Sequence, residues 1–241
     1  MFHFSFPTFK MFPKEYQVLD QGFIRYLEKF GDELTIVNAA RVSFGHQKTV
    51  LEDSDKKLIR YLLRHEHTSP FRHVFFRFHI KAPEFVMRQW FKHVVGSEWS
   101  ASSSNPLHGW NEISGRYVVL SDIHTPETWR LQSKDRKQGS EGVLDPDQQE
   151  KVRDNYRTTL ETCLSAYQTM IDAGVAREQA RMILPLSMYT ECIWTVSLQA
   201  LIHFVRLRDE SHAQEEIREY ARIFRDILTE EFPNTLQEKD D

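Results

Sequence analysis

The sequence predicts an α+β fold in which a mixed or antiparallel sheet packs against long helices. The segment His73–Lys81 alternates between apolar and polar side chains, as a half-buried strand does. Several longer segments repeat apolar residues every three or four positions, which is typical of helices. Strands and helices do not alternate in βαβ units, so a doubly wound parallel sheet is not expected.

The bulk composition predicts one soluble domain. The 241 residues are 40% hydrophobic and 27% charged, and the formal net charge of −4 gives no reason to expect a nucleic-acid partner. No apolar run approaches the roughly 20 residues that span a bilayer, and the N-terminal segment lacks the pattern of a signal peptide. The two cysteines, Cys163 and Cys192, lie in helix-like sequence and are expected to be reduced. We therefore expect a cytoplasmic protein without a membrane partner.

The first part of the chain is predicted to be an extension, residues 1–15, followed by a single domain, residues 16–241. The predicted elements are, in order, a strand or hairpin at Tyr16–Tyr26, a helix at Thr35–Ser43, a helix at Asp53–His65, the strand His73–Lys81 and a helix at Glu84–Val95. The helix Asp53–His65 ends before Ser69–Pro70, because proline disfavours a helical conformation in the residue before it. Pro83 ends the strand.

The second part of the chain is predicted to be mostly helical. A Ser-rich inserted loop at 96–110 and a polar surface excursion at 122–147 interrupt the regular pattern before it. The predicted helices are Asp147–Gly174, Ala176–Met182, Thr190–Arg208 and His212–Phe232.

A polar cluster lies on the predicted helix Glu84–Val95. Val86, Trp90 and Val94 form an apolar stripe, and Gln89, Lys92 and His93 project from the opposite side. These three residues are either a binding face or an ordinary solvated helix face.

A second polar cluster follows the inserted loop, in the segment NEISGR. If this segment is extended, Glu112, Ser114 and Arg116 point to one face. That trio suits an anionic ligand, because the arginine guanidinium matches the geometry of a phosphate. The alternative is an exposed strand edge with an incidental ion pair.

The predicted helix Thr190–Arg208 is apolar on most sides, yet Gln199, His203 and Arg206 share one of its faces. Buried polar groups need partners, which a neighbouring helix, another subunit or a ligand can supply. No metal site is predicted, because His65 and His67 would diverge on a helix and no second pair of ligands accompanies them. No glycine-rich phosphate-binding motif is present.

Several blocks, in this order, resemble the flavin-dependent thymidylate synthases: NAARVSF, HTSPFRHVFFRFHIKAPEFV, RQWFKH, NEISGRY, AREQARMILP and LRDESHAQEEIREYA. The resemblance spans residues 17–232. It implies the reductive methylation of dUMP to dTMP, with methylenetetrahydrofolate as the carbon donor, FAD as the hydride source and NADPH as the reductant. It also implies the fold of that family and a homotetramer whose active sites are assembled from several subunits.

Carried over by position, the resemblance implies two sets of binding residues. dUMP would be bound by Gln89, Lys92, Glu112, Ser114, Gly115, Arg116, Arg181 and Arg208. FAD would be bound by Ser43, His67, Ser69, Lys92, His93, Val94, Val95, Glu112, Ser197, Gln199 and His203. The catalytic residues would be Arg208, Ser114 and His67, and the permanent charge of Arg208 would favour an ionised uracil ring.

The chain departs from the family pattern at the implied flavin site. The family's Arg-His-Arg signature reads Lys92-His93-Val94 here, and the inserted loop separates it from NEISGR. Two alternatives therefore stay open. One is a pyrimidine-nucleotide-modifying enzyme with flavin-independent or otherwise altered chemistry, and the other is a non-catalytic nucleotide-binding homologue. A cysteine nucleophile is not expected, because neither thiol has an adjacent base in the sequence.

Overall fold

The computed structural model describes residues 14–96, 98–99, 107–134 and 139–236. The strands are β1 (Lys14–Val18), β2 (Gly22–Phe30), β3 (Phe75–Pro83), β4 (Glu98–Trp99), β5 (Leu107–Glu112), β6 (Arg130–Gln132), β7 (Ser140–Val143) and β8 (Tyr189–Ser197). The helices are α1 (Glu33–Arg41), α2 (Asp53–Arg64), α3 (Glu84–Trp90), α4 (Pro146–Asp172), α5 (Arg177–Ala180), α6 (Leu198–Arg208) and α7 (Glu215–Glu231). Most of the predicted extension, and much of the predicted inserted loop, lie outside the described residues.

A six-stranded antiparallel sheet forms the centre of the fold, in the order β1-β2-β3-β8-β5-β4. Its central strand β3 contains the alternating segment of the sequence: Phe76, Phe78 and Ile80 are buried, whereas Arg77 is exposed. A separate antiparallel ribbon, β6–β7, lies within the predicted surface excursion. The predicted α+β class with an antiparallel sheet and helices is confirmed.

Aromatic side chains fill the core between the sheet and the helices α3, α6 and α7. The ring of Trp90 on α3 lies 4.8 Å from that of Phe204 on α6, and Phe78 on β3 lies 4.9 Å from Phe224 on α7. Such pairs stabilise a fold beyond the area they bury, by about 0.5–1.5 kcal/mol each. The core therefore fixes α3 and α6 relative to each other, and these two helices carry most of the candidate site.

Two predicted helices are wrong in part. The first half of the predicted helix Thr190–Arg208 is strand β8, in which Cys192, Trp194 and Val196 alternate with more exposed residues and pair with β3 and β5. Ser197 then caps α6, since its hydroxyl accepts from the backbone N–H of Ala200. Cys192 consequently lies in a strand and not in a helix.

The predicted helix Glu84–Val95 ends at Trp90. Lys92 and His93 follow in a turn, so His93 is buried and does not share a solvated helix face with Gln89. Val94 likewise leaves the predicted apolar stripe and is half-buried after the turn.

The longest helix, α4, has only Tyr167 buried along its whole length in this chain. Asp145 caps it by accepting from the backbone N–H of Gln148, and Pro146 occupies its first position. Both cysteines are free thiols, with Cys163 half-buried on α4. In the described part of the chain, no helix is both long and apolar enough to cross a membrane.

Candidate active site

Gln89 and Arg208 come together where α3 meets the end of α6. The Arg208 Nη2 atom donates to the Gln89 carbonyl oxygen at 3.1 Å. The Gln89 side chain in turn donates from Nε2 to Oε1 of Gln214, just before α7, at 2.8 Å. Three elements that are distant in sequence thus meet at one point, which we call the Gln89–Arg208 group.

A cavity of about 600 Å³ opens beside the Gln89–Arg208 group. This volume lies within the range of roughly 300–1,000 Å³ that is typical of small-molecule sites. Besides Gln89, Arg208 and Gln214, its lining consists of Arg130, Gly139, Ser140, Ser211, His212, Ala213, Glu215 and Arg218. Three guanidinium groups around one cavity favour an anionic ligand.

The guanidinium of Arg208 is held by a hydrogen bond, but one of its donors has no partner among the described residues. Its Nε atom is buried and has no hydrogen-bond partner among the described residues. Burial lowers the pKa of Arg208, yet an arginine keeps its charge in proteins. A buried donor without a partner is costly, and a ligand that accepts from Nε would satisfy it.

A second set of predicted substrate residues, the Glu112–Arg181 group, follows strand β5. Glu112 ends this strand, and its carboxylate accepts from the hydroxyl of Thr190 at 2.8 Å and from Nε1 of Trp110 at 3.1 Å. A Cβ added to Gly115 would lie 3.4 Å from Cδ of Arg181. Glu112, Gly115 and Arg181 therefore share one region of the surface.

Ser114 begins a turn at the edge of this group. The backbone N–H of Tyr117 donates to the Ser114 carbonyl at 2.9 Å, and Nε of Arg116 donates to Oγ of Ser114 at 3.3 Å. Because the strand has already ended at Glu112, the expected alternation of Glu112, Ser114 and Arg116 on one extended face does not form. The serine hydroxyl instead positions the exposed arginine.

Helix α3 separates the two groups. Burial and the nearby charge of Glu112 raise the pKa of Glu84 on α3, although Arg88 and Arg181 act in the opposite direction. Glu84 therefore lies close to the Glu112–Arg181 group. Gln89, five positions later, is rotated from Glu84 by about 140° around the helix axis. The predicted dUMP residues therefore lie on two sides of α3 within one chain.

The residues predicted to bind FAD gather partly around the start of α6. Ser197 donates from Oγ to the Val95 carbonyl at 2.6 Å, which attaches the turn after α3 to the cap of α6. Nε of Arg72 donates to Oε1 of Gln199 at 2.6 Å, and His203 is exposed one turn further along. Exposed donors at this helix start are suited to a polar, phosphate-containing cofactor.

His93 is the buried member of this set. Its ring lies 5.0 Å from that of Phe204 and 5.5 Å from that of His203. Burial, together with the charges of Arg208 and His203, lowers the pKa of His93 to about 4. The imidazole is therefore neutral at neutral pH and packs against the rings of Phe204 and His203.

The other predicted cofactor residues are more dispersed. Ser43, His67, Ser69 and Lys92 are all exposed or half-buried, and the ring of His67 meets that of Tyr61 edge-on at 6.2 Å. Ser69 belongs to a short 3-10 helix, Ser69–His73, that packs against α6. Glu112 belongs to the Glu112–Arg181 group and not to the start of α6.

Of the residues that line the 600 Å³ cavity, the sequence reasoning predicted Gln89 and Arg208 and missed the others, among them Arg130, Gln214 and Arg218. Arg130 lies in a segment without periodicity, so no pattern indicated its position. Gln214 and Arg218 fall inside the block LRDESHAQEEIREYA, which could have drawn attention to them.

The thiol of Cys192 is not suited to nucleophilic attack. Cys192 is buried in β8, and burial together with the nearby carboxylates of Glu112 and Glu191 raises its pKa well above the ordinary value. A thiolate is the reactive form of cysteine, so this environment makes Cys192 inert.

Comparison with known proteins identifies a family for this arrangement. The family described as thymidylate synthase complementing protein matches residues 25–234. A flavin-dependent thymidylate synthase of Thermus thermophilus is 46% identical over 223 residues, which are 92% of this chain and 76% of that protein. A flavin-dependent thymidylate synthase of Kosmotoga olearia is 43% identical over 224 residues, which are 92% of both chains. Among solved structures, the UMP/dUMP methylase PolB from Streptomyces cacaoi bound with 5-Br dUMP superimposes with a TM-score of 0.76 at 28% identity, covering 91% of this chain and 95% of that one.

Proposed function

Because the chain belongs to the thymidylate synthase complementing protein family, we propose that it is a flavin-dependent thymidylate synthase that converts dUMP to dTMP. The observation that carries this proposal is the buried, unpartnered Nε of Arg208 beside Gln89, in a cavity lined by three arginines among the described residues. An anionic nucleotide with acceptor atoms on its ring would satisfy both the charge and the free donor.

Arg208 acts on the pyrimidine ring in this proposal. Its guanidinium is held by the Gln89 carbonyl before the substrate arrives, so it needs little rearrangement to stabilise negative charge on the uracil. Arg116 and Arg181 bind the phosphate or the far edge of the nucleotide, since arginine forms charge-assisted bonds with such groups. Gln89 completes the ring contacts from α3.

The residues at the start of α6 fit FAD as the cofactor. Arg72 and His203 offer exposed polar groups there, Gln199 is half-buried beside Arg72, and the neutral imidazole of His93 packs behind His203. When bound, FAD supplies the hydride for the reductive methylation, with methylenetetrahydrofolate giving the carbon and NADPH restoring the reduced flavin. Ser197 has a positioning role, because its hydroxyl already binds the Val95 carbonyl and the Ala200 N–H.

The environment of the thiols supports a flavin route. Attack on the pyrimidine by cysteine needs an accessible thiolate, and burial keeps Cys192 protonated. Hydride chemistry carried by a cofactor does not require that step. The free thiols Cys163 and Cys192 also support a cytoplasmic location.

The active form in this proposal is a homotetramer whose sites combine the Gln89–Arg208 group of one subunit with the Glu112–Arg181 group of another. The position of these groups on two sides of α3, and the exposed length of α4, support this assembly. Mixing two inactive variants, Arg208→Ala and Arg181→Ala, tests it. Shared sites predict that the mixture regains part of the wild-type turnover after subunit exchange, and no recovery in exchanged mixtures would contradict it.

The activity itself is tested by tritium release from 5-tritiated dUMP in the presence of methylenetetrahydrofolate, NADPH and FAD. A parallel reaction uses 5-tritiated UMP, because the similar PolB structure is a methylase of both UMP and dUMP. We expect release that depends on FAD and is faster with dUMP. Release without flavin would favour altered pyrimidine chemistry, and binding of dUMP without release would indicate a non-catalytic homologue.

A further inference from the structure

Arg72 lies among the residues predicted to bind FAD, although it was not one of them. In that predicted set Lys92 is the only lysine or arginine, buried His93 is neutral, and position 94 is a valine. The diphosphate of FAD is negatively charged, and arginine matches phosphate geometry with a planar fork of donors that lysine lacks. The predicted set therefore offers the diphosphate one exposed lysine and no such fork.

The short 3-10 helix Ser69–His73 directs Arg72 toward this set. Residues three positions apart eclipse one another in a 3-10 helix, so Arg72 shares a face with Ser69, which is predicted to bind FAD. Both of these residues are exposed, whereas Pro70 and Phe71 between them are buried and anchor the helix. The local fold thus presents a guanidinium beside a predicted cofactor residue.

Gln199 holds this guanidinium from the first turn of α6. The Nε atom of Arg72 donates to Oε1 of Gln199 at 2.6 Å, and among the described residues Arg72 has no other hydrogen bond or ion pair. Its Nη1 and Nη2 atoms are therefore available to bind a phosphate as a pair of donors. An arginine side chain stays charged in proteins, so the charge is present before the cofactor binds.

Gly96 provides the space for the aliphatic part of Arg72. Its φ of 74° lies in the left-handed region that favours glycine. A Cβ added to Gly96 would lie only 2.7 Å from Cγ of Arg72 and 3.1 Å from Oγ of Ser197. Ser197 also donates to the carbonyl of Val95, the residue before Gly96. The turn after α3 and the cap of α6 thus pack around Arg72, and a side chain at position 96 would displace it.

We propose that Arg72 binds the diphosphate of FAD and supplies the guanidinium that Lys92 and Val94 do not provide. This inference rests on the proposed function, in which residues at the start of α6 bind FAD. Gln199 and Gly96 are positioning residues in this arrangement, because the first holds Nε of Arg72 and the second leaves room for its stem.

Calorimetric titration with FAD of the purified full chain, after removal of bound flavin, tests the proposal. Arg72→Ala should raise the Kd for FAD at least about tenfold, as expected when hydrogen bonds to a charged group are lost. Arg72→Lys keeps the charge without the planar fork, so its Kd should lie between those of wild type and Arg72→Ala. Arg77→Ala, which removes an exposed guanidinium that pairs with Glu28 on β2, is the matched control and should leave the Kd unchanged.

The dependence of the Kd on salt separates a charge contact from a purely structural role. Sodium chloride screens the attraction between exposed charges, so the Kd for FAD should rise more steeply with salt in wild type than in Arg72→Ala. Equal slopes would show that the charge of Arg72 does not act on the diphosphate. That result would overturn the proposal even if Arg72→Ala weakened FAD binding.

Gly96→Ala, measured in wild type and in the Arg72→Ala background, tests how the guanidinium is positioned. We expect this substitution to weaken FAD binding in wild type and to have a much smaller effect without Arg72, because the added Cβ would meet Cγ of the arginine. Equal losses in the two backgrounds would show that Gly96 does not act through Arg72, and would overturn its positioning role.

The titration with FAD distinguishes failure of this inference from failure of the proposed function. Wild-type protein that does not bind FAD would contradict the proposed function and the role of Arg72 together. Equal Kd values for FAD in wild type and Arg72→Ala would overturn the role of Arg72 alone, and FAD would remain the cofactor.

Discussion

Replacing Arg208 with alanine removes the group on which the proposed substrate site depends. In the structure the guanidinium donates to the Gln89 carbonyl at 3.1 Å, and its Nε is buried without a partner among the described residues. The substitution therefore removes a fixed charge and a free donor at once, and it also removes one contact between α6 and α3. Catalysis and stability are expected to change by different amounts.

The expected loss of turnover is the larger effect. One preorganised donor directed at developing charge usually contributes a factor of about 10²–10³ in kcat, or about 3–4 kcal/mol. For stability, a hydrogen bond from a charged group contributes about 1.5–3 kcal/mol. A cation in the last turn of a helix adds about 0.3–1 kcal/mol. We expect Arg208→Ala to lower kcat at least about 100-fold and the free energy of unfolding by about 2 kcal/mol.

Tritium release from 5-tritiated dUMP measures kcat, urea unfolding measures stability, and light scattering measures assembly. Arg206→Ala is the matched control, because Arg206 lies on the same turn of α6 and is exposed. Arg208→Lys keeps the charge but loses the planar donor geometry, so its kcat should fall between those of wild type and Arg208→Ala. A kcat for Arg208→Ala within about threefold of wild type, in a folded assembly, would refute the proposed role.

Three further predictions concern the fold around the site. Between about pH 6.5 and pH 4, His93 takes up a proton in the unfolded chain but stays neutral in the folded one. The contribution of His93 to stability is therefore full above this range, and the free energy of unfolding falls by up to about 3 kcal/mol as the pH decreases. The free energies of unfolding in urea at pH 5 and pH 7.5 should differ less in His93→Phe than in wild type, and equal differences would be inconsistent with this account. Ser197→Ala removes the cap of α6 and should cost about 1–2 kcal/mol, seen as a lower midpoint of thermal unfolding, whereas an unchanged midpoint would exclude this role. Asp55 is fully buried and lies 2.6 Å from Arg41, so Asp55→Ala should cost about 3–5 kcal/mol in urea unfolding. Asp53→Ala, at an exposed neighbour, should cost much less, and similar losses in the two variants would show that burial does not matter here.

The sequence predicted those elements whose periodicity is local. Strand β3 and the helices α2, α4 and α7 each show an uninterrupted period of two or of three to four residues, so their type followed from the pattern. Strand β8 was missed because its alternating residues run directly into the apolar residues of α6 without a glycine or proline between them. Tertiary pairing with β3 decides its conformation, and local periodicity does not reveal that pairing.

Periodicity indicated single polar clusters, but their combination into one candidate site was predictable only through the blocks of resemblance. Gln89 and Arg208 are 119 positions apart, and their contact depends on how the aromatic core orients α3 and α6. The burial of His124 and the position of Trp129 were not predicted either, because both residues lie in the excursion 122–147, where no period indicates burial. The side chain of Gln149 on α4 fixes this segment, and such a long-range hydrogen bond leaves no trace in local sequence.

The position of Glu84 and Gln89 on one short helix has a consequence for the symmetry of the proposed assembly. In the proposed assembly each copy presents one half of a site on either side of α3, about 140° apart around its axis. Copies that joined head to tail without closing would leave an unmatched half at both ends of the row. A closed assembly whose copies are related by rotation leaves no unmatched half, so the number of complete sites equals the number of copies. Removing one copy from such a closed set therefore disables two sites.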